Sequence, residues 1–198
     1  ARSDIDLLVI VKKFFSLEPP QKPSTPYDGT SIEDLLELRN EAGNLLLQAF
    51  PEADVDVSGN KSITAEGGSL RRKIDVVISN WHNTNEYAEK RKEIYRGVKV
   101  LDISVPCTIK NTPFLHNEKV EEKDHATEGG FRKACRLMKS LKYDTENIDL
   151  SSYDIVSIAF NMPNHLLKVP YGGELVLLSS CLDYCRNLYS NSDLQNSI

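Results

Sequence analysis

Positive charge, clustered cysteine and histidine, and long apolar runs are all scarce in this sequence, and each scarcity removes a class of function. Against 24 Lys and Arg stand 29 Asp and Glu, a net charge of −5, so no bulk field draws the chain onto nucleic acid. A polyanionic partner would have to use a local basic patch. The four cysteines, Cys107, Cys135, Cys181 and Cys185, lack the short paired spacings of a zinc site, and a chain of this length folds without disulfides. They read as free thiols of a reducing cytoplasm, with Cys181 and Cys185 two small buried side chains on one helix rather than a weak metal pair. The four histidines, His82, His116, His125 and His165, show no ligand spacing. No apolar run reaches the roughly 20 residues that span a bilayer, and no signal peptide is evident. Membrane is therefore not an expected partner, and a cytoplasmic location is expected. There is no internal repeat or low-complexity segment.

What is present is enough to build a core: 198 residues, 40% of them hydrophobic, suit one globular domain or two closely packed lobes. The chain does not begin with Met, and its first strand is under way by residue 4, so a segment leading into that strand is expected upstream. That strand covers residues 4–13. Prolines 19, 20, 23 and 26 then forbid helix and ladder, predicting a surface loop. Ser31 and Asp34 resemble an N-cap pair, opening an amphipathic helix to about Phe50 with Ile32, Leu35, Leu36, Ala42, Leu45, Leu46 and Ala49 at helical spacing. Residues 53–58, 61–65 and 70–79 read as short strands joined by glycine turns, an antiparallel meander continuing the first sheet. Residues 81–97 are polar and helical or irregular, 98–105 form another strand stopped by Pro106, and 111–115 are loop. The pattern turns helical from residue 118, breaks at Gly129-Gly130, and continues over 131–142, 152–161 and 173–189. Strands thus dominate the first half and helices the second: an α+β chain with a sheet-based lobe over 1–117, a helical lobe over 118–198, and a cleft between them.

Ser3-Asp4-Ile5-Asp6 runs straight into the apolar Leu7-Leu8-Val9-Ile10-Val11. Alternate strand residues share a face, so Asp4 and Asp6 project together while Ile5 and Leu7 point to the core. Like charges held close must be solvated or neutralised by bound cations, and magnesium is the hard, oxygen-seeking choice. Asp75, between Ile74 and Val76, supplies a third carboxylate if its strand is a neighbour. Three such groups would suit two-metal phosphoryl chemistry. Exposed aspartates on a solvated strand face explain the same spacing; Asp54-Val55-Asp56 is a decoy of that kind, and Asp102 is another isolated strand aspartate. The long apolar run favours Asp4 and Asp6, as expected of a central strand. Farther on, Phe131, Ala134, Cys135, Met138 and Leu141 share one helix face, and Arg132, Arg136 and Lys139 make a basic stripe on another. A solvated cationic face accounts for the stripe as simply as a phosphate site does. Leu150-Ser151-Ser152-Tyr153-Asp154 puts hydroxyls at a helix start, where they either cap the helix or meet a phosphate.

Ser3-Asp4-Ile5-Asp6-Leu7-Leu8-Val9 followed by Lys73-Ile74-Asp75-Val76-Val77 resembles the catalytic carboxylates of the polymerase-β nucleotidyltransferase superfamily. Ala134-Cys135-Arg136-Leu137-Met138-Lys139-Ser140-Leu141 and Leu150-Ser151-Ser152-Tyr153-Asp154 resemble the spine helix and donor-nucleotide motif of one branch of it. That branch comprises cyclic GMP-AMP synthase, oligoadenylate synthetase and the bacterial cyclic-oligonucleotide synthases (CD-NTases) of anti-phage signalling. The resemblance implies a mixed, largely antiparallel sheet with flanking helices followed by a helical lobe. It implies Asp4, Asp6 and Asp75 as catalytic ligands of two Mg2+ ions, with Mn2+ able to substitute, and nucleoside triphosphates as partners. Ser3, Arg136, Lys139 and Ser152 would contact the donor phosphates and Tyr153 would stack on the base. The family's Gly-Ser turn lies shortly before the aspartate pair and would here fall before Ala1. A transferase acting on RNA or protein, and a non-catalytic nucleotide-binding module, remain open alternatives, as does a regulatory protein partner.

Overall fold

The structure, a computed structural model, describes residues 4–145, 147–170 and 172–195. The chain divides into two compact units, Ala1–His116 and Asn117–Ile198. The first is a six-stranded sheet with helices and the second is all helix, the mixed α+β architecture expected.

In the first unit, β1 (Ile5–Leu17) leads through the proline-rich loop to α1 (Ser31–Ala49). Then come β2 (Asp54–Asp56), β3 (Ser62–Glu66) and β4 (Ile74–Asn83). A short helix α2 (Asn85–Lys90) and one 3-10 turn precede β5 (Gly97–Asp102) and β6 (Cys107–Asn111). Strands β2 to β6 run antiparallel in chain order, as the meander predicts, but β1 joins β4 in parallel. A parallel neighbour needs a crossover of a dozen residues or more, and the loop with α1 supplies it. The centre is therefore β4, not β1. One edge of β4 is taken by β1, the other is shared by β3 beside Ile74–Val77 and β5 beside Ser79–His82.

The core under α1 consists of Phe14, Leu35, Ile63, Val76, Ile78 and Leu101, with Val9 and Val11 packed against it. Ile5 and Leu7, predicted to be core, are 43% and 50% exposed, because this core begins only at Val9 along the edge strand. A register shift between Val11 and Phe15 turns Phe14 inward and leaves Phe15 exposed. The bulged Lys13 reaches Asp34 at 2.8 Å. That pairing, with a hydrogen bond from Tyr27, explains why Asp34 caps nothing: the N-cap of α1 is Thr30, without a side-chain hydrogen bond. Arg39, on the buried side of α1, clamps the β2–β3 connection by donating to the carbonyls of Val57 at 3.0 Å, Gly59 at 2.5 Å and Ser62 at 3.1 Å. Strand β6, absent from the sequence reading, pairs along β5 from Cys107 to Asn111. Its Thr108-Ile109 pair, just past a proline, was the available signal.

The second unit contains α3 (Pro113–Ala126, begun in the first), α4 (Gly130–Asp144), α5 (Ser152–Asn161), α6 (Asn164–Leu167), α7 (Glu174–Ser190) and α8 (Ser192–Gln195). Phe131, Ala134 and Cys135 of α4 meet Ala159, Met162, Leu167, Leu177, Cys181 and Tyr184 in its core. Leu141, assigned to the same face from spacing, is 47% exposed. Gly130 lies so close to the Leu167 carbonyl that a Cβ there would stand 1.8 Å from its oxygen. No helix among the described residues is long and apolar enough to cross a membrane.

Candidate active site

Strand register decides whether the carboxylates of the first unit are neighbours. In the β1–β4 ladder Asp6 is the partner of Asp75, and in the β3–β4 ladder Thr64 is the partner of Asp75. Residues opposite one another share a sheet face, and strands lie roughly 4.8 Å apart, so Asp6, Asp75 and Thr64 form one row across three strands. Asp4 precedes the row by one strand repeat and sits just before the first pair of the ladder, Ile5 with Ile74, where the amide of Ile5 donates to the Lys73 carbonyl at 3.0 Å. Asp4 and Asp6 are exposed. Asp75 is more enclosed, accepting a hydrogen bond from Thr64 Oγ1 at 2.8 Å, with Lys73 Nζ 3.7 Å away; both groups meet Oδ1. Ser3 lies outside the described residues.

Among the described residues, no group of three or more His, Cys, Asp or Glu is drawn close enough to hold a metal ion. The register brings Asp6 and Asp75 side by side without closing the three carboxylates into one cluster. The donor set is nonetheless all carboxylate oxygen on two adjacent strands, which fits a hard divalent cation.

The decoy aspartates have local occupations. Asp56 accepts from the amide and hydroxyl of Ser58 at 2.8 and 2.6 Å, and Asp102 from those of Ser104 at 2.9 and 2.5 Å. These bonds, the hydroxyl's first, hold both carboxyls below the usual aspartate range. Each Asp ends a strand and closes its own turn, and the repeated Asp-x-Ser is a signal for that role readable in the sequence.

In the second unit, Arg136 and Lys139 lie on α4, and Ser152 and Tyr153 open α5, which packs against α4. Arg132 is diverted from the basic stripe to Asp124, 3.5 Å away. Arg136 is exposed and Lys139 half-buried. The cap of α5 is a complete capping box: Asp154 N–H donates to Ser151 Oγ at 3.1 Å, and Ser151 N–H to the Asp154 carboxylate at 2.6 Å. Ser152 is thus left as an exposed first helical residue with no capping duty. Tyr153, 69% exposed, borders an open cavity of about 360 Å3 with Leu150, Asp154, Ile158 and Leu188. All four cysteines are free, and burial pushes the Cys135 and Cys181 thiols up to about 11, which suits packing rather than metal binding.

No family model matches the chain. It is 41% identical over 183 residues to the cyclic dinucleotide synthase CdnE of Yersinia aleksiciae, covering 89% of this chain and 48% of that protein. The chain spans about half the length of the curated relatives it matches. Among solved structures, the STING-associated CdnE c-di-GMP synthase from Flavobacteriaceae sp. superposes with a TM-score of 0.77 at 20% identity, over 95% of this chain and 59% of that one. The corresponding enzyme of Capnocytophaga granulosa gives 0.69 at 27% identity, over 83% and 52%. Along most of its length, therefore, the chain is similar in sequence to a CdnE cyclic dinucleotide synthase and shares the fold of the CdnE enzymes.

Proposed function

We propose that the protein is a divalent-metal-dependent nucleotidyltransferase that joins nucleoside triphosphates into a cyclic oligonucleotide second messenger, acting in the cytoplasm in anti-phage defence. The observation that carries this reading is the register match of Asp6 with Asp75, on a chain related to a cyclic dinucleotide synthase. In this reading Asp4, Asp6 and Asp75 hold two Mg2+ ions, with Mn2+ as substitute. The ions would lower the pKa of an acceptor hydroxyl and neutralise charge on the donor triphosphate. Asp75, steadied on one oxygen, also helps accept the proton of the 3′-hydroxyl as that oxygen attacks the α-phosphate and pyrophosphate leaves. Arg136 and Lys139 supply cationic contacts to the triphosphate, Ser152 a hydroxyl donor, and Tyr153 a face for the donor base.

The test is Asp4→Asn and Asp75→Asn in the complete protein, with labelled triphosphates and Mg2+ or Mn2+. Loss of ligand charge at a phosphoryl-transfer centre is worth several kcal/mol, so product formation falls by on the order of a thousandfold. A phosphatase-resistant small product from the parent protein supports cyclisation, whereas label entering RNA or protein replaces that conclusion. Full activity in both variants overturns the assignment of the carboxylates.

A further inference from the structure

Resting on that reading of the carboxylates, we infer that Thr64 is a positioning residue for Asp75. It fixes the carboxylate through Oδ1 and so presents the other oxygen, Oδ2, to the metal. Two groups meet Oδ1, and they differ in kind. Thr64 donates a hydrogen bond at 2.8 Å from the directly opposing residue of β3. Its β-branched side chain has few rotamers in a strand, so the hydroxyl is held where the ladder places it. Lys73 approaches only to 3.7 Å, on a side chain 38% exposed, and that distance is too long for a hydrogen bond.

Charge separates the two further. An ammonium beside a metal ligand competes with the cation for the same carboxylate, whereas a neutral hydroxyl adds no repulsion and can stay bonded while the metal is held. Outer-shell donors of this kind orient ligating groups, and their loss lowers metal affinity by about 10- to 100-fold. Thr64 also lies in the row with Asp6 and Asp75, and its neighbours Ile63 and Ala65 are fully buried. The strand that carries the donor is thus anchored by the core.

The measurement is Mn2+ titrated alone into the complete protein, with free ion read by electron paramagnetic resonance, alongside thermal unfolding without metal. Thr64→Val keeps shape and strand preference and removes only the hydroxyl, so Mn2+ binding weakens about 10-fold or more while the metal-free midpoint hardly moves. Thr64→Ser, which keeps the donor, restores affinity to within about threefold of the parent, and Lys73→Gln binds Mn2+ as tightly as the parent or tighter. If Thr64→Val binds like the parent while Asp75→Asn does not, the positioning role is wrong and the carboxylate assignment stands. If Lys73→Gln weakens binding more than Thr64→Val, the lysine orients Asp75 instead. Should Asp75→Asn itself bind like the parent, both the inference and the metal-site reading fall.

Discussion

Asp75 and the side chains proposed for nucleotide contact are held differently in the two units. In the sheet unit Thr64 bonds Asp75 across the ladder, Ser58 and Ser104 bond Asp56 and Asp102 within their own turns, and Arg39 of α1 gathers three carbonyls. In the helical unit Arg136, Ser152 and Tyr153 stand exposed on helices whose other faces make the core. A ladder places a partner within one strand spacing, whereas a helix face gives only a direction. The proposed metal site, which needs rigid geometry, accordingly falls on the sheet. The proposed contacts with phosphate and base, which need only charge or a flat ring, fall on helices.

The contrast breaks hardest where the helical unit does have a rigid contact. Gly130 abuts the Leu167 carbonyl, and no rotamer can relieve a clash between a Cβ and backbone. Gly130→Ala must push α4 away from α6 and is expected to cost about 3–4 kcal/mol. Hydrogen exchange should show the loss across α4 to α7 first; protection unchanged there would contradict the close approach. The counterpart in the sheet unit is Arg39, 4% exposed, whose Nη1 has no partner among the described residues. Arg39→Ala unpairs the carbonyls of Val57, Gly59 and Ser62, an expected cost of about 2 kcal/mol seen in denaturant unfolding. Arg39→Met, filling the space without a charge to bury, should recover part of it. A loss with Met larger than with Ala would mean that the hydrogen bonds, not the filled volume, hold the β2–β3 connection.

The same contrast explains what could be read in advance. The helix over residues 152–161 is legible to the residue, because Ser151 with Asp154 is a capping box and Pro163 follows closely. The aspartate spacing in β1 and the lone Asp75 in β4 were equally visible, but their adjacency is a parallel pairing across a long crossover, which local pattern cannot encode. The centrality of β1 was misread for a related reason. Its apolar run signals a buried strand, yet β4 occupies the centre and Ile5 and Leu7 are half exposed. Asp34 shows competition between partners: its position suits a capping pair, but Lys13 and Tyr27, brought in by the bulge and the proline loop, take the carboxylate. Thr64 carried no sequence signal at all, since a threonine in a strand is ordinary until its cross-strand partner is known.

The smallest expected effect is the acid response, and it tests the contrast in both units at once. In the sheet unit four carboxyls are held below their usual range: Glu18 by Lys110 and the Asn85 amide, Asp34 by Lys13 and Tyr27, Asp56 by Ser58, and Asp102 by Ser104. Among the described residues of the helical unit two are: Asp154 by Ser151, and Glu174 by its own amide and Lys133. A carboxyl whose pKa is depressed by folding adds stability that is complete above its unfolded value and is lost as pH falls through its folded value. The unfolded values are 3.8 for Asp and 4.5 for Glu, so the loss begins below about pH 5 and deepens as pH falls further. Asp56, Asp154 and Glu174 are exposed, so solvent screens their contributions, whereas Glu18 and Asp34 are half-buried and Asp102 is buried. What distinguishes the units is that the sheet unit holds more such groups among the described residues and holds the enclosed ones. Hydrogen exchange corrected for intrinsic rate should therefore show β1, β2 and β5 losing more protection than α5 and α7 between about pH 5.5 and 3.5. Earlier loss in the helices would mean that the single capping box at Ser151 outweighs the distributed bonds of the sheet.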